Sequence, residues 1–330
     1  MGKAFHYADQ TIEAIMQKRS ILVVGLDPQL QYMPVHLREE AVIRYGRTER
    51  AVQWAFEKFN SRVIDAVEPF AVGIKPQSAF YEIYGSEGIE ALENTITHAR
   101  AKGLLVIGDA KRGDGGDTAQ AYADGYLGEV PFWGEEGALL GTARSPLRMD
   151  ALTIEPWIGE ATFKPFLEVM KMNGTGAFVV VKSSFNPNSE IEQAQTASGE
   201  RNWQMLARMV ERLGERTEGE RGYRSFGVVM GATYPKDAPT MRSILPKSFF
   251  LVPGYGAQGG GADGAVVGVN PDGFGCVVNS ARGIIYAYHP VSRSKFQCES
   301  ARFTEAAAKA AEFARDELNA ALQRAGKLNR

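Results

Sequence analysis

Residues 104–119 read LLVIGDAKRGDGGDTA, in which an apolar run passes directly into a charged one. The apolar part, Leu104 to Ile107, is typical of a buried β-strand. Because side chains alternate across a strand, Asp109 and Lys111 lie on one face, about 6.6 Å apart along it. The stretch therefore predicts a strand that ends with an acid and an amine directed at the same place.

Short apolar runs of this kind recur along the whole chain, with helical patterns between them. There are eight candidate strands: Ile21 to Leu26, Ala71 to Ile74, Leu104 to Ile107, Ala151 to Ile154, Ala177 to Val181, Phe226 to Met230, Phe249 to Val252 and Gly275 to Val278. The apolar residues of Arg47 to Val67, between the first two, follow helical spacing. Eight β/α units in 330 residues predict one domain, a (β/α)8 TIM barrel spanning residues 1–330. An open doubly wound sheet is the alternative, but no G-x-G-x-x-G follows the first strand.

Two further segments are placed relative to this barrel. Residues Gly128 to Met149, which are rich in glycine and aromatic residues, predict a surface insertion between the third and fourth units. The Ala-rich stretch Arg302 to Arg324 predicts an outer helix.

Composition excludes several classes of protein. The formal net charge of -2 gives no general attraction to nucleic acid or membranes, so any anion site must be local. The two cysteines, Cys276 and Cys298, form neither a disulfide framework nor a C-x-x-C spacing, and predict free thiols in a reducing cytoplasm. Neither a membrane span nor a secretion signal is predicted, since long apolar runs are absent from the sequence.

The predicted active site lies where the strands end, because barrels bind substrates at the carboxyl ends of their strands. Asp27 follows the first run and Lys75 follows the second. With Asp109 and Lys111 they can form an alternating chain of charges, in which each group has an opposite neighbour and can stay ionised when buried.

Four more polar residues follow strands in the same way. Asp114 and Thr118 are four residues apart, a spacing that on a helix would put both on one face. Ser183 and Ser184 end the fifth run and offer hydroxyls and backbone amides to a polar ligand group.

The last two units predict a phosphate site. The glycine-rich loop Pro253 to Gly260 exposes backbone amides and carries Gln258, and Arg282 follows the eighth strand. A phosphate site formed by the loops after strands seven and eight is a recurring feature of barrels.

The residue types also limit the chemistry. The four histidines, His6, His36, His98 and His289, lie outside the strand-end motifs, so nothing supports a Ser-His or Cys-His pair. No H-E-x-x-H or His/Cys ligand spacing is present in the sequence either. The lysines and carboxylates suit a reaction in which a fixed ammonium stabilises or protonates a carbanion, without a metal or organic cofactor.

These motifs, in this order, resemble the orotidine 5'-phosphate decarboxylase family in its longer bacterial form. The matching stretches cover nearly the whole chain: GLDP at 25–28, KPQ at 75–77, DAKRGD at 109–114, DALT at 150–153, GATYP at 231–235, the loop at 253–260 and NSARG at 279–283. The resemblance implies a homodimeric barrel that converts orotidine 5'-monophosphate to UMP and CO2 in pyrimidine synthesis.

The resemblance also implies roles for the site residues. Asp27 would hold the ribose, and Lys75 would connect the ribose hydroxyls to the charged chain. Asp109 would press on the substrate carboxylate while Lys111 protonates C6. Asp114 and Thr118 would reach into the site of the partner subunit. Ser183 or Ser184 would contact the pyrimidine. Gln258 and Arg282 would bind the phosphate, together with the phosphate loop that begins at Pro253.

Some positions depart from the family's usual pattern. Relatives have Asp-Ile-Gly-Ser/Thr-Thr-Ala where this chain has Gly115 and Asp117, so an apolar side chain near the pyrimidine is lost. The chain also has Glu155-Pro156-Trp157 in place of Asn-Pro-Tyr, an extra Phe185 in the serine turn, and Tyr255 in place of a small aliphatic residue.

Two alternative functions follow from these observations. One is a metal-dependent sugar-phosphate decarboxylase or aldolase that uses the same D-x-K-x-x-D strand. The other is a nucleotide-binding homologue that has lost turnover through the changes at Gly115 and Asp117. None of the departures removes a charged catalytic group, which favours an active decarboxylase.

Overall fold

A computed structural model of the chain describes residues 5–134, 140–185, 189–256 and 259–327. Within these residues eight parallel strands close into a barrel in the order β1-β10-β9-β8-β7-β6-β3-β2. These barrel strands are β1 Leu22–Leu26, β2 Gly73–Pro76, β3 Leu105–Arg112, β6 Ala151–Ile154, β7 Gly176–Lys182, β8 Arg224–Met230, β9 Ser248–Val252 and β10 Cys276–Ser280. Two further strands, β4 Glu129–Phe132 and β5 Gly141–Arg144, lie outside the barrel. The predicted (β/α)8 TIM barrel is confirmed.

Helices surround the barrel. They are α1 Tyr7–Lys18, α2 Val35–Tyr45, α3 Glu49–Val67, α4 Ala79–Glu82, α5 Gly85–Ala101, α6 Gly116–Leu127, α7 Glu160–Asn173, α8 Glu190–Gln193, α9 Asn202–Gly214, α10 Ala238–Ile244, α11 Ala262–Ala265, α12 Arg282–Ile285 and α13 Phe303–Arg324. Short 3-10 turns are formed by Leu30–Tyr32, Glu215–Thr217, Pro290–Ser292 and Ser300–Arg302. The predicted outer helix at the carboxyl end is α13, which packs against α3.

The strands have continuous apolar sequences, rather than alternating apolar and polar residues, because they lie in the core. All residues of β1, β8, β9 and β10 are buried, because one face lines the barrel and the other meets the helices. On α3, the buried residues Phe56, Phe59 and Val63 follow helical spacing and form the face that enters the core. The helix begins at Glu49 because the Thr48 side chain accepts a hydrogen bond from the Ala51 amide.

Strand β3 is longer than predicted. It continues past Ile107 to Arg112, and its register against β6 shifts between Gly108 and Arg112. The charged residues Asp109 and Lys111 therefore belong to the strand itself. A hydrophobic run could not indicate this extension, because the added residues are polar.

The segment 128–149 contains the antiparallel pair β4 and β5, which forms a sheet separate from the barrel. The pair was not predicted, because its residues lack a clear apolar alternation. Phe132 and Trp133 at its end are exposed.

No helix among the described residues is long and apolar enough to cross a membrane. Cys276 and Cys298 are both free thiols, as predicted.

Candidate active site

The predicted acid and amine residues meet at the carboxyl ends of three neighbouring strands. Asp109 of β3 forms ion pairs with two lysines. The Lys75 ammonium, from β2, contacts its Oδ2 atom, and the Lys111 Nζ lies 2.5 Å from its Oδ1 atom. We call Lys75, Asp109 and Lys111 the charged triad. It forms because β2 and β3 are adjacent parallel strands, with Ile74 beside Val106 and Gln77 beside Asp109.

Burial makes these ion pairs strong enough to set the charge state. Lys75 is 4% exposed and Asp109 is 8% exposed. Burial alone would raise the pKa of Asp109, but the ammonium groups of Lys75 and Lys111 outweigh it and hold that pKa well below its usual range. Burial likewise opposes the charge on Lys75, and the carboxylates of Asp109 and Asp27 raise its pKa above the usual value. Asp109 and Lys75 are therefore both charged at neutral pH.

Asp27, which follows β1, lines the same cavity, and Lys75 is the cation that acts on it most strongly. Burial raises the pKa of its carboxyl group, Lys75 lowers it, and Asp109 raises it further. Its Oδ1 atom is buried and has no hydrogen-bond partner among the described residues. An unpaired buried carboxylate oxygen is unfavourable unless a ligand satisfies it. Asp27 is thus placed to accept a hydrogen bond from a ligand hydroxyl.

The backbone around the triad is strained. Lys111 has a φ of 48° and Asp114 a φ of 75°, in the left-handed region that side chains other than glycine avoid. Thr153 of β6 supports this conformation. Its hydroxyl oxygen accepts a hydrogen bond from the Lys111 amide at 3.1 Å and lies 3.1 Å from Asp109 Oδ1, to which it donates. Strained residues of this kind concentrate at functional sites.

Asp114 and Thr118 do not share a helix face, so that part of the sequence prediction is wrong. Helix α6 begins at Gly116, and Asp114 precedes it in the left-handed conformation. Thr118 lies in the first turn of the helix. Both side chains are exposed, and neither lines the cavity described below.

A cavity of about 390 Å³ opens above the triad. It is lined by the predicted residues at the strand ends: Asp27, Lys75, Asp109, Lys111, Ser183, Ser184, Pro253 and Arg282. Both serines line it, so the choice between them stays open. A larger groove of about 710 Å³ lies on the outside of the barrel between α2 and α3, and none of the predicted site residues lines it.

The loop after β9 contributes Pro253, Gly254 and Tyr255 to the cavity wall. Gly254, Gly256 and Gly259 all have positive φ values, of 95°, 79° and 93°. Such a turn is accessible to glycine and strained for other residues. Arg282, at the start of α12 after β10, lines the same cavity. Gln258 lies outside the described residues, so its predicted place in this loop stays a prediction.

The cavity residues that were not assigned a role from the sequence include Thr153, Asn279 and Tyr255. Thr153 supports Lys111, as described above. Asn279 of β10 lines the cavity, and its Oδ1 atom is buried without a hydrogen-bond partner in the described part of the chain. Tyr255 lines it as well, and its hydroxyl donates to a carboxylate oxygen of Glu317 on α13. A polar residue inside the apolar strand CVVNS is a signal that could have identified Asn279.

The described residues contain no group of three or more His, Cys, Asp or Glu side chains that could hold a metal ion.

The barrel and its cavity define a class of protein, a TIM barrel with a buried acid–amine cluster that faces a glycine-rich loop and an arginine. A family model described as "Orotidine 5'-phosphate decarboxylase / HUMPS family" matches residues 20–295. The chain belongs to this family.

Individual relatives match over most of their length. A Rhodopirellula baltica protein named orotidine 5'-phosphate decarboxylase is 39% identical over 282 residues, which cover 86% of this chain and 89% of the relative. One of the same name from Caldicellulosiruptor saccharolyticus is 36% identical, covering 89% of this chain and 94% of the relative. The structure of Leishmania donovani OMP decarboxylase superposes with a TM-score of 0.70 at 27% identity, covering 96% of this chain and 99% of that one.

Proposed function

We propose that this protein decarboxylates orotidine 5'-monophosphate to UMP and CO2, a step of pyrimidine synthesis, without a cofactor. The observation that carries the proposal is the charged triad, in which Asp109 is ion-paired to both Lys75 and Lys111 at the wall of a nucleotide-sized cavity. The names of the relatives support the choice of substrate.

Lys111 is the proposed proton donor. Loss of CO2 leaves an electron pair at C6 of the pyrimidine, where the ring provides little resonance stabilisation. A fixed ammonium next to C6 stabilises this developing charge and then transfers its proton to the carbon. The ion pair with Asp109 holds the ammonium in position before the substrate binds.

Asp109 has a second proposed role in the ground state. Two like charges about 4 Å apart repel by roughly 4 kcal/mol at an effective dielectric constant near 20. A substrate carboxylate placed beside Asp109 would experience this repulsion and lose it as CO2 departs. The low pKa of Asp109 keeps the carboxylate charged, as this role requires.

The rest of the cavity binds the nucleotide. Asp27 and Lys75 would contact the ribose, with Asp27 offering the unpaired oxygen described above. Ser183 or Ser184 would meet the pyrimidine. Arg282, with the loop that begins at Pro253 and contains Gln258, would bind the phosphate. This binding lies away from the bond that breaks, so its free energy can be used to fix the geometry of the reacting groups. The proposed compartment is the cytoplasm, since both cysteines are free thiols.

We also propose a homodimer with shared sites. Asp114 and Thr118 are exposed in the single chain and follow the strand that carries Lys111. In a two-fold dimer they would complete the partner's cavity.

Mixing two inactive variants tests the shared site. Lys111→Ala and Asp114→Ala chains should complement each other, because one site of each mixed dimer receives both substitutions and the other receives none. With equal amounts and random pairing, about a quarter of all sites should be intact. Activity that stays at the level of the separate variants, despite demonstrated subunit exchange, would place Asp114 in its own chain's site.

The decisive test of the reaction is a spectrophotometric assay with orotidine 5'-monophosphate, run with and without a chelator and paired with a UMP binding measurement. We expect turnover that the chelator leaves unchanged. Turnover lost on chelation would favour the metal-dependent alternative. Binding of UMP without turnover would favour the non-catalytic homologue, and failure of both measurements would refute the proposal.

A further inference from the structure

Lys182 is a buried lysine outside the charged triad. It is the last residue of β7, its side chain is 0% exposed, and it does not line the cavity. A charge in such a position is unfavourable unless its surroundings compensate for the lost water. Its place directly before Ser183 and Ser184 connects it to the proposed pyrimidine subsite.

The groups that compensate this charge lie mainly on the next strand-end loop, residues 231–237, which we call the crossing loop. Asp237 places its Oδ2 atom 2.9 Å from the Lys182 Nζ. The Tyr234 ring centroid lies 4.5 Å from the same Nζ, and the ring of Trp203 on α9 lies 5.5 Å away. A carboxylate and the faces of two aromatic rings all attract a cation. The buried ammonium of Lys182 therefore holds Tyr234 and Asp237 of the crossing loop against the end of β7.

The crossing loop also touches the two loops on either side of it. The Gly231 amide donates to the Lys182 carbonyl at 3.0 Å, and the Thr233 hydroxyl donates to the Ser184 carbonyl at 3.4 Å. On the other side, the Ala232 amide donates to the Pro253 carbonyl at 2.8 Å. The crossing loop thus connects Lys182 and Ser184 to Pro253, where the phosphate loop begins.

There is little free space along this connection. A Cβ atom at Gly231 would lie 2.8 Å from the Ser184 Cα, and one at Gly260 would lie 2.9 Å from the Ala232 Cβ. Neither glycine position has room for a side chain, so the loops pack backbone to backbone and a displacement of the crossing loop would move the neighbouring loops as well.

We infer that Lys182 is a positioning residue: its buried ammonium fixes the crossing loop and thereby sets the distance between the pyrimidine and phosphate subsites. The inference rests on the proposed function for the identity of the ligand. It assigns Lys182 no contact with substrate. Its effect should be largest for ligands that occupy both subsites together.

The test compares Lys182→Met, which removes the charge at similar volume, with Lys182→Arg, which keeps it. For Lys182→Met we expect the KM for orotidine 5'-monophosphate and the Kd for UMP to rise at least tenfold, and the Kd for uridine to rise less than threefold. Lys182→Arg should recover most of the UMP affinity. Asp237→Asn breaks the same ion pair from a partly exposed side chain, and should weaken UMP binding in the same direction even if Lys182→Met does not fold.

A matched control separates positioning from general stability. Arg224 begins β8 at the opposite end of the barrel and is also a buried cation, with its Nη1 atom 2.7 Å from a Glu211 carboxylate oxygen. Arg224→Met should lower the Tm and leave the UMP affinity unchanged.

Folded Lys182→Met or Asp237→Asn proteins with UMP and uridine affinities within twofold of the parent would overturn the inference. An equal loss of UMP and uridine affinity would do so too. If the parent binds UMP but does not turn over orotidine 5'-monophosphate, the proposed function fails and the binding comparison still decides the role of Lys182. A parent that binds neither ligand would refute both.

Discussion

Replacing Lys111 by alanine should abolish most turnover while leaving nucleotide binding largely intact. An ammonium about 3 Å from a developing carbanion stabilises it by about 5 kcal/mol at an effective dielectric constant of 20. The Lys111 side chain is 39% exposed in the single chain, so solvent screening reduces this value. Taking about 3 kcal/mol as the lower limit, kcat should fall by about 100-fold or more.

The assay is steady-state decarboxylation, with the Kd for UMP measured by calorimetry on the same preparation. UMP lacks the carboxylate and the developing charge, so its Kd should change by less than about tenfold. Lys102→Ala is a matched control, because Lys102 is 42% exposed and its Nζ lies 2.8 Å from Asp65 on the outside of the barrel. A folded Lys111→Ala enzyme with kcat within threefold of the parent would refute the role of this ammonium.

Three further substitutions test other parts of the site. Arg282→Ala should weaken the free energy of UMP binding by about 1.5 to 3 kcal/mol, the value of a charge-assisted hydrogen bond, and leave uridine binding unchanged. Equal UMP affinity in mutant and parent would place the phosphate site elsewhere. Asp27→Asn should raise the Tm at neutral pH, because burial raises the pKa of Asp27 in the folded state. The folded state therefore disfavours the ionised carboxylate. This destabilisation grows as the pH rises from about 3.9, the pKa in the unfolded chain, through the higher pKa of the folded state. The Tm difference between Asp27→Asn and the parent should therefore vanish in acid, and a difference that persists below pH 3 would contradict this origin. Gly25→Ala should lower the free energy of unfolding by about 1 to 3 kcal/mol in a denaturant titration, because the added methyl would lie 2.6 Å from the Ala281 Cβ; an unchanged unfolding midpoint would show that the strand ends adjust.

The sequence predicted the barrel because its physical cause is local. Strands buried on both faces must be apolar throughout, so each one appears as a short uninterrupted run, such as Phe249 to Val252 within β9. The triad was predictable for a related reason, since charged residues directly after buried strands have few favourable places except a shared site. Lys75 and Asp109 were found in this way.

Other features depend on backbone geometry that residue types do not specify. The left-handed conformation of Lys111 and Asp114 ends the regular alternation of β3, and the helix begins only after Asp114. A spacing of four therefore did not place Asp114 and Thr118 on one face. Lys182 was overlooked because it ends an apolar run, and its partners Tyr234 and Asp237 lie about 50 residues away in the sequence.

The pairing of β1 with β10 has a consequence for how the protein is made. Val23 of β1 pairs with Asn279 of β10, so one edge of the first strand has no partner until the last strand is synthesised, about 250 residues later. At a synthesis rate of about 5 to 20 residues per second, that interval lasts about 10 to 50 s. During this time β1 has an open, apolar edge on the ribosome-bound chain, which is the kind of edge that pairs with other chains. The nascent polypeptide should accordingly be most prone to aggregation, and most dependent on chaperones, until residue 280 has emerged from the exit tunnel.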